Sequence, residues 1–160
     1  MLKKSFYNFC HLAKLSKGGK IIIFLNIYFY NIHFFKLGFN CKSIRKLNDF
    51  NLELIEYEHS TTKAKFIQIK TDDKNNVFSA NFRSRVSDSK GTPHILEHLI
   101  CCGSKKYPVK DPFMAMSKKS LNTFMNAWTG PDFIGFPFAS TNEKDFINLL
   151  DVYLVCLILY

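Results

Sequence analysis

The sequence predicts an α+β fold, on three observations. Residues 49–87 carry extended, strand-like runs on either side of a polar turn. Residues 88–120 carry two helix starts, each with a proline in its first turn. Residues 122–139 return to extended patterns, and a helix with one apolar face follows them. Strands and helices that are grouped, not alternating one for one, belong to the α+β class.

Each element has its own signal. Leu52, Leu54 and Tyr57 sit among Glu53, Glu56 and Glu58. Ala64, Phe66, Ile67 and Ile69 alternate imperfectly with Lys65, Gln68 and Lys70. The run Asp72-Asp73-Lys74-Asn75-Asn76 is a polar turn, and residues 77–83 restart an extended pattern. The strands on either side of that turn are expected to pair antiparallel. Asp88, Ser89 and Thr92 are candidate N-caps of a first helix. Pro93 suits its first turn, where a missing N–H costs nothing, and Gly103 is a candidate C-cap. A second helix starts after Asp111-Pro112 and runs to about Ser120. Residues 122–128 and 133–139 are expected as strands around the turn Gly130-Pro131-Asp132. Thr141 or Asn142 caps a last helix, with Phe146, Leu149, Leu150 and Tyr153 on one face.

The net charge of +9 invites a nucleic-acid reading, and its distribution argues against one. Residues 1–48 hold nine Lys or Arg and no Asp or Glu, which leaves 13 basic against 13 acidic residues over 49–160. A basic face interleaved with aromatics, as nucleic-acid binding needs, is not visible past residue 48. Within the N-terminal segment the apolar stretch 21–37 is shorter than the ~20 residues that span a bilayer, and it carries Asn26, Asn31, His33 and Lys36. Three readings fit residues 1–48: an organellar targeting segment, a membrane signal anchor, or translated non-coding sequence. The last is raised by composition, because 16 of residues 21–40 are Phe, Ile, Lys, Asn or Tyr. The five cysteines are odd in number and irregular in spacing, which reads as reduced thiols and not as a disulfide framework.

The chemistry lies in His94-Ile95-Leu96-Glu97-His98. On a helix, positions i, i+3 and i+4 share a face, so His94, Glu97 and His98 are expected together while Ile95 and Leu96 turn elsewhere. Two imidazoles one turn apart can ligate one tetrahedral zinc. A carboxylate between them can sit beside the metal without binding it, take a proton from the attacking water and pass it to the leaving amine. With Glu next to the second His, this is the inverted form of the zincin motif.

The flanking residues widen the match. They run Asn81-Phe82-Arg83-Ser84, then Asp88 to His98, then Cys102-Gly103-Ser104-Lys105-Lys106-Tyr107-Pro108-Val109-Lys110-Asp111-Pro112-Phe113. Ser120-Leu121-Asn122-Thr123-Phe124-Met125-Asn126-Ala127-Trp128-Thr129 follow, then Pro137, Ala139 to Asn142, Lys144-Asp145-Phe146 and Asp151 to Leu154. This sequence resembles the pitrilysin/insulinase family of zinc peptidases, in its presequence-protease and falcilysin-like branch, over about residues 49–154. The resemblance implies an antiparallel sheet with helices packed on one face, the first half of a mitochondrial-processing-peptidase-like metallohydrolase domain. It implies Zn2+ on His94 and His98, with Glu97 as general base. It implies an edge strand around Asn126 and Ala127 whose backbone pairs with an extended peptide. It further implies short unstructured peptides as substrates, such as cleaved targeting peptides, and a mitochondrial or plastid-type compartment. A third ligand, a Glu on a later helix, is expected beyond Tyr160, and residues 155–160 are expected to be a tail foreign to the family.

Other residues draw plainer expectations. Glu143 reads as an exposed first-turn carboxylate favoured by the helix dipole. Cys101 and Cys102 read as helix-end packing. His11, His33 and His59 read as solvated, as do Lys105-Lys106 and Lys118-Lys119. Trp128 is expected in the core. Ile134 and Phe136 stand where relatives commonly have Thr and Tyr, a swap expected to alter packing and not chemistry.

Overall fold

The computed structural model describes residues 21–26 and 38–158. Eight strands and three α-helices appear in the order β1 (Ile21–Asn26), β2 (Phe39–Leu47), β3 (Leu52–His59), β4 (Lys65–Lys70), β5 (Asn76–Arg83), α1 (Thr92–Cys101), α2 (Pro112–Lys119), β6 (Asn122–Met125), β7 (Trp128–Thr129), β8 (Phe133–Ser140) and α3 (Glu143–Ile158). The strands form one sheet in the order β2-β3-β4-β1-β5-β8-β6, with β7 also on β8. The class is α+β, as predicted.

The sheet consists of two antiparallel blocks joined by a seam. β2, β3 and β4 form a meander, and β5, β8, β6 and β7 form the second block. β1 lies between them, parallel to β4 (Ile23 opposite Phe66) and antiparallel to β5 (Ile23 opposite Ala80). This corrects the expectation that the strands flanking residues 72–76 pair with each other. Both form, but an apolar strand from upstream stands between them, which a reading confined to neighbours in sequence does not see. The remaining residues of 1–37, with His11, His33 and most of the stretch 21–37, lie outside the described residues. No helix among the described residues is long and apolar enough to cross a membrane.

β2 is a second addition. Its side chains are mostly exposed, and cross-strand charge holds its register against β3: Lys42 to Glu58 at 3.4 Å and Arg45 to Glu56 at 2.6 Å. Part of the basic excess of residues 1–48 is therefore matched by the acidic residues of β3. Each such surface pair contributes about 0–1 kcal/mol.

Most of the core lies between the second block and α3, and Phe39 and Phe66 of the first block belong to the same cluster. Phe78, Phe136 and Phe138 from the sheet meet Phe146, Leu149, Leu150, Tyr153 and Leu154 from the helix. Phe138 is the hub, with ring centroids 5.3 Å from Phe78, 5.1 Å from Phe146 and 4.7 Å from Tyr153. Asn142 caps α3, its Oδ1 accepting from Asp145 N at 3.0 Å. Ile134 and Phe136 are buried, as packing residues should be. α3 continues through the expected tail with Val155 and Cys156 buried, because both extend its apolar face.

Three of the plainer expectations fail within the fold, and a fourth, that for Cys102, at the end of α1. His59 is buried, not solvated: its Nδ1 accepts from Thr62 N at 3.2 Å and its ring stands edge-on to Phe39. Trp128 is 42% exposed, not core. Its indole lies over Gly135, where a Cβ would stand 2.2 Å from Nε1, so the glycine makes the seat for the ring. Lys106 is not merely solvated: it pairs with buried Asp151 of α3, which also accepts from Tyr107 Oη at 2.5 Å.

Candidate active site

α1 carries the motif. Its start is set by backbone and not by the expected caps. Gly91 takes a left-handed conformation (φ 73°) and its carbonyl accepts from His94 N and Ile95 N. A residue with a Cβ is strained there. Thr92 is already helical, and Asp88 instead accepts from Lys90 N. The helix ends on Cys102 in right-handed geometry, one residue short of the expected Gly103.

His94 and His98 lie one turn apart on the exposed side of α1, with their Nε2 atoms 3.1 Å from each other. Such an approach needs one N–H and one lone pair, or two lone pairs turned to a shared cation. Two imidazole nitrogens on one tetrahedral zinc stand about 3.3 Å apart, so the pair fits two of the ligands. Glu97 departs from the expected trio. It is buried, and its Oε2 accepts from Thr129 Oγ1 at 2.6 Å. The carboxylate is thus held by a hydroxyl from β7, on the buried side of the helix whose exposed side carries the imidazoles. Sequence reasoning passed over Thr129 as a partner, because the bond spans 32 residues.

Nothing else joins the pair. Among the described residues, no group of three or more His, Cys, Asp or Glu side chains converges as a metal site. Glu143 is exposed in the first turn of α3, as expected. Cys102 is exposed, and its Sγ donates to His98 O at 3.2 Å, so it is not packed as expected. Cys101 is half-buried, and burial pushes its thiol up to about 12, with the nearby Cys156 adding to the shift. Burial likewise raises the Cys156 thiol to about 11. Neither favours the thiolate a metal needs.

Asn126 and Ala127 interrupt the sheet's outer strand between β6 and β7. Asn126 N donates to Pro137 O at 3.1 Å, and Tyr153 Oη donates to Asn126 O at 3.2 Å. The main chain of Asn126 therefore faces inward. Ala127 N donates to Asn126 Oδ1 at 2.9 Å, a side-chain acceptor on an exposed residue. Burial raises the Tyr153 phenol strongly, so it stays a donor.

Comparison with known proteins now bears on this arrangement. No protein-family model matches the chain. The mitochondrial presequence protease of Saccharomyces cerevisiae is 51% identical over 117 residues, which is 73% of this chain and 12% of that protein. The mitochondrial presequence protease of Drosophila melanogaster is 49% identical over 117 residues, 73% of this chain and 11% of that protein. The chain is a homologue of the presequence proteases, of the pitrilysin family. The kinship is not confined to mitochondrial proteins: the protein HypA of Clostridium perfringens is 50% identical over 117 residues, 73% of this chain and 12% of its own length. The chain spans about 12% of the length of the relatives it matches. Homology to the presequence proteases over this stretch agrees with the α+β class.

Proposed function

We propose that the chain carries the metal-binding helix and the general base of a zinc-dependent endopeptidase acting on short unstructured peptides. The approach of the two Nε2 atoms to 3.1 Å, on a helix that also carries a buried carboxyl group at Glu97, supports the reading. His94 and His98 would hold the zinc, which when bound supplies Lewis acidity to a scissile carbonyl and to water. Glu97 does the proton work. Its Oε2 is committed to Thr129, which leaves Oε1 to accept a proton as water oxygen bonds to the carbonyl carbon. The same oxygen then returns that proton to the amine nitrogen as the C–N bond breaks. An extended peptide would add to the outer strand, where its carbonyl takes the Ala127 N–H in place of Asn126 Oδ1. Main-chain pairing of this kind asks little of substrate sequence, which suits cleaved targeting peptides. The mitochondrial names of the eukaryotic relatives support a mitochondrial compartment over a plastid-type one, while a bacterial relative of like identity weighs against tying the reading to any organelle.

A second reading, a non-catalytic interaction module of the same family, is favoured by the two-ligand site among the described residues. One experiment separates the two. The 160-residue chain is titrated with zinc by calorimetry and assayed on an unstructured fluorogenic peptide, alongside His94→Ala, His98→Ala and Glu97→Gln. The peptidase reading expects zinc binding lost in both His variants and kept in Glu97→Gln, with hydrolysis reduced by about 10²–10⁴-fold in the latter. Zinc uptake by a wild-type chain that cleaves nothing decides for the second reading. Equal hydrolysis by Glu97→Gln removes Glu97 from the chemistry.

A further inference from the structure

Strand β7 has only two residues, and they face opposite ways. Trp128 turns to the open side of the sheet and sits over Gly135. Thr129 turns toward α1 and donates to Glu97 Oε2 at 2.6 Å. A two-residue strand has little to hold it. Among the described residues β7 pairs with β8 alone, by Trp128 opposite Gly135 and Thr129 opposite Ile134. The chain enters it from the Asn126–Ala127 interruption and leaves it through the tight turn closed by Gly130 N to Phe133 O at 2.8 Å. The Thr129 hydroxyl therefore fixes both partners: it orients the carboxylate, and the carboxylate anchors the strand. A short hydrogen bond to a buried carboxyl oxygen is costly to leave unmade.

We propose that Thr129 is the positioning residue for Glu97, and that this bond latches the outer strand to the helix bearing the histidines. The catalytic part of the proposal rests on the peptidase reading above; the latch itself does not. The consequence is a mechanical link. Whatever pairs along the outer strand at Ala127–Trp128 acts on an element bonded to the base, so strand occupancy and carboxylate orientation are coupled.

Trp128 is the only tryptophan in the sequence, which gives β7 its own reporter. The test is a double-substitution cycle on the full chain, with Thr129→Val, Thr129→Ser, Glu97→Ala and Thr129→Val/Glu97→Ala. Acrylamide quenching of Trp128 is measured in each, together with zinc affinity. Thr129→Val and Glu97→Ala are each expected to raise the quenching constant about twofold, with no further rise in the double variant. Thr129→Ser is expected to restore the wild-type value, because it keeps the hydroxyl and loses only a methyl. Zinc affinity is expected to stay within twofold in Thr129→Val. If the wild-type chain hydrolyses peptide, Thr129→Val is expected to lower kcat roughly tenfold or more with KM unchanged, and Thr129→Ser to recover it. Unchanged quenching in Thr129→Val, additive effects in the double variant, or failure of Thr129→Ser to rescue would overturn the latch. A wild-type chain without activity overturns only the peptidase reading, since the quenching cycle still decides the latch.

Discussion

Asp151 offers the sharpest test of how the loop after α1 is held. Its carboxylate, with 10% of the side chain exposed, accepts from Lys106 and from Tyr107 Oη, both in the connection between α1 and α2. Lys106 is 36% exposed, so the pair is neither a surface bridge nor a sealed one. Removing one partner of a buried pair costs about 3–5 kcal/mol, and an exposed pair contributes about 0–1 kcal/mol. Lys106→Met leaves Tyr107 in place on the carboxylate, so the expected loss is about 1–2 kcal/mol. Asp151→Asn removes the negative charge that both bonds share, leaving only the Lys106 bond charge-assisted, for about 2 kcal/mol. The double variant should lose less than the sum, because the two changes remove a shared interaction. Urea unfolding followed by Trp128 emission measures all three. A Lys106→Met chain within about 0.5 kcal/mol of wild type would return Lys106 to an ordinary solvated lysine and refute the reasoning.

Other outcomes follow from the same geometry. With dithionitrobenzoate at pH 8, exposed Cys41 and Cys102 should react quickly, and Cys101 and Cys156 should wait for unfolding; equal rates would contradict the burial. The raised thiols (about 12 and about 11) and the Lys106 ammonium, raised by Asp151 and Tyr107 against the opposing effect of burial, all hold protons more tightly when folded. Their contribution is complete below the unfolded values and is lost as pH climbs through the folded ones. These groups should therefore add no pH dependence through neutrality and lower stability from about pH 9 upward, and a chain equally stable at pH 11 would remove them from the balance. Gly135→Ala should push the Trp128 indole off its seat at a cost of about 1–3 kcal/mol, with a shift in emission; an unchanged spectrum would mean the ring does not rest there.

What the sequence disclosed and what it hid divide along the range of the interactions. α1 was legible because its signals are local: Pro93 in the first turn and a His pair at four-residue spacing. α3 was legible from its apolar face and the Asn142 cap. β2 was hidden because it has no alternation; its register comes from charge on β3, a strand the eye reads separately. The seating of Trp128 depends on a glycine seven residues on, across a turn. The Thr129–Glu97 bond links a helix to a strand that forms after it, and only a motif containing both hints at it. Lys106 looked like one of many lysines until α3 brought Asp151 against it.

The seam strand β1 constrains the history of the molecule. Ile21–Asn26 lie in the segment for which a targeting segment is one of three readings, yet they occupy the middle of the sheet. A peptide cannot be both discarded after delivery and retained as the joint between two blocks. Any processing that removes residue 26 would leave β4 and β5 with raw edges, each a template for pairing with another chain. Any cleavage compatible with this sheet must fall before Ile21. One of its partners, β4, is complete by residue 70 and the other, β5, only by residue 83, so the seam closes in two steps along the chain.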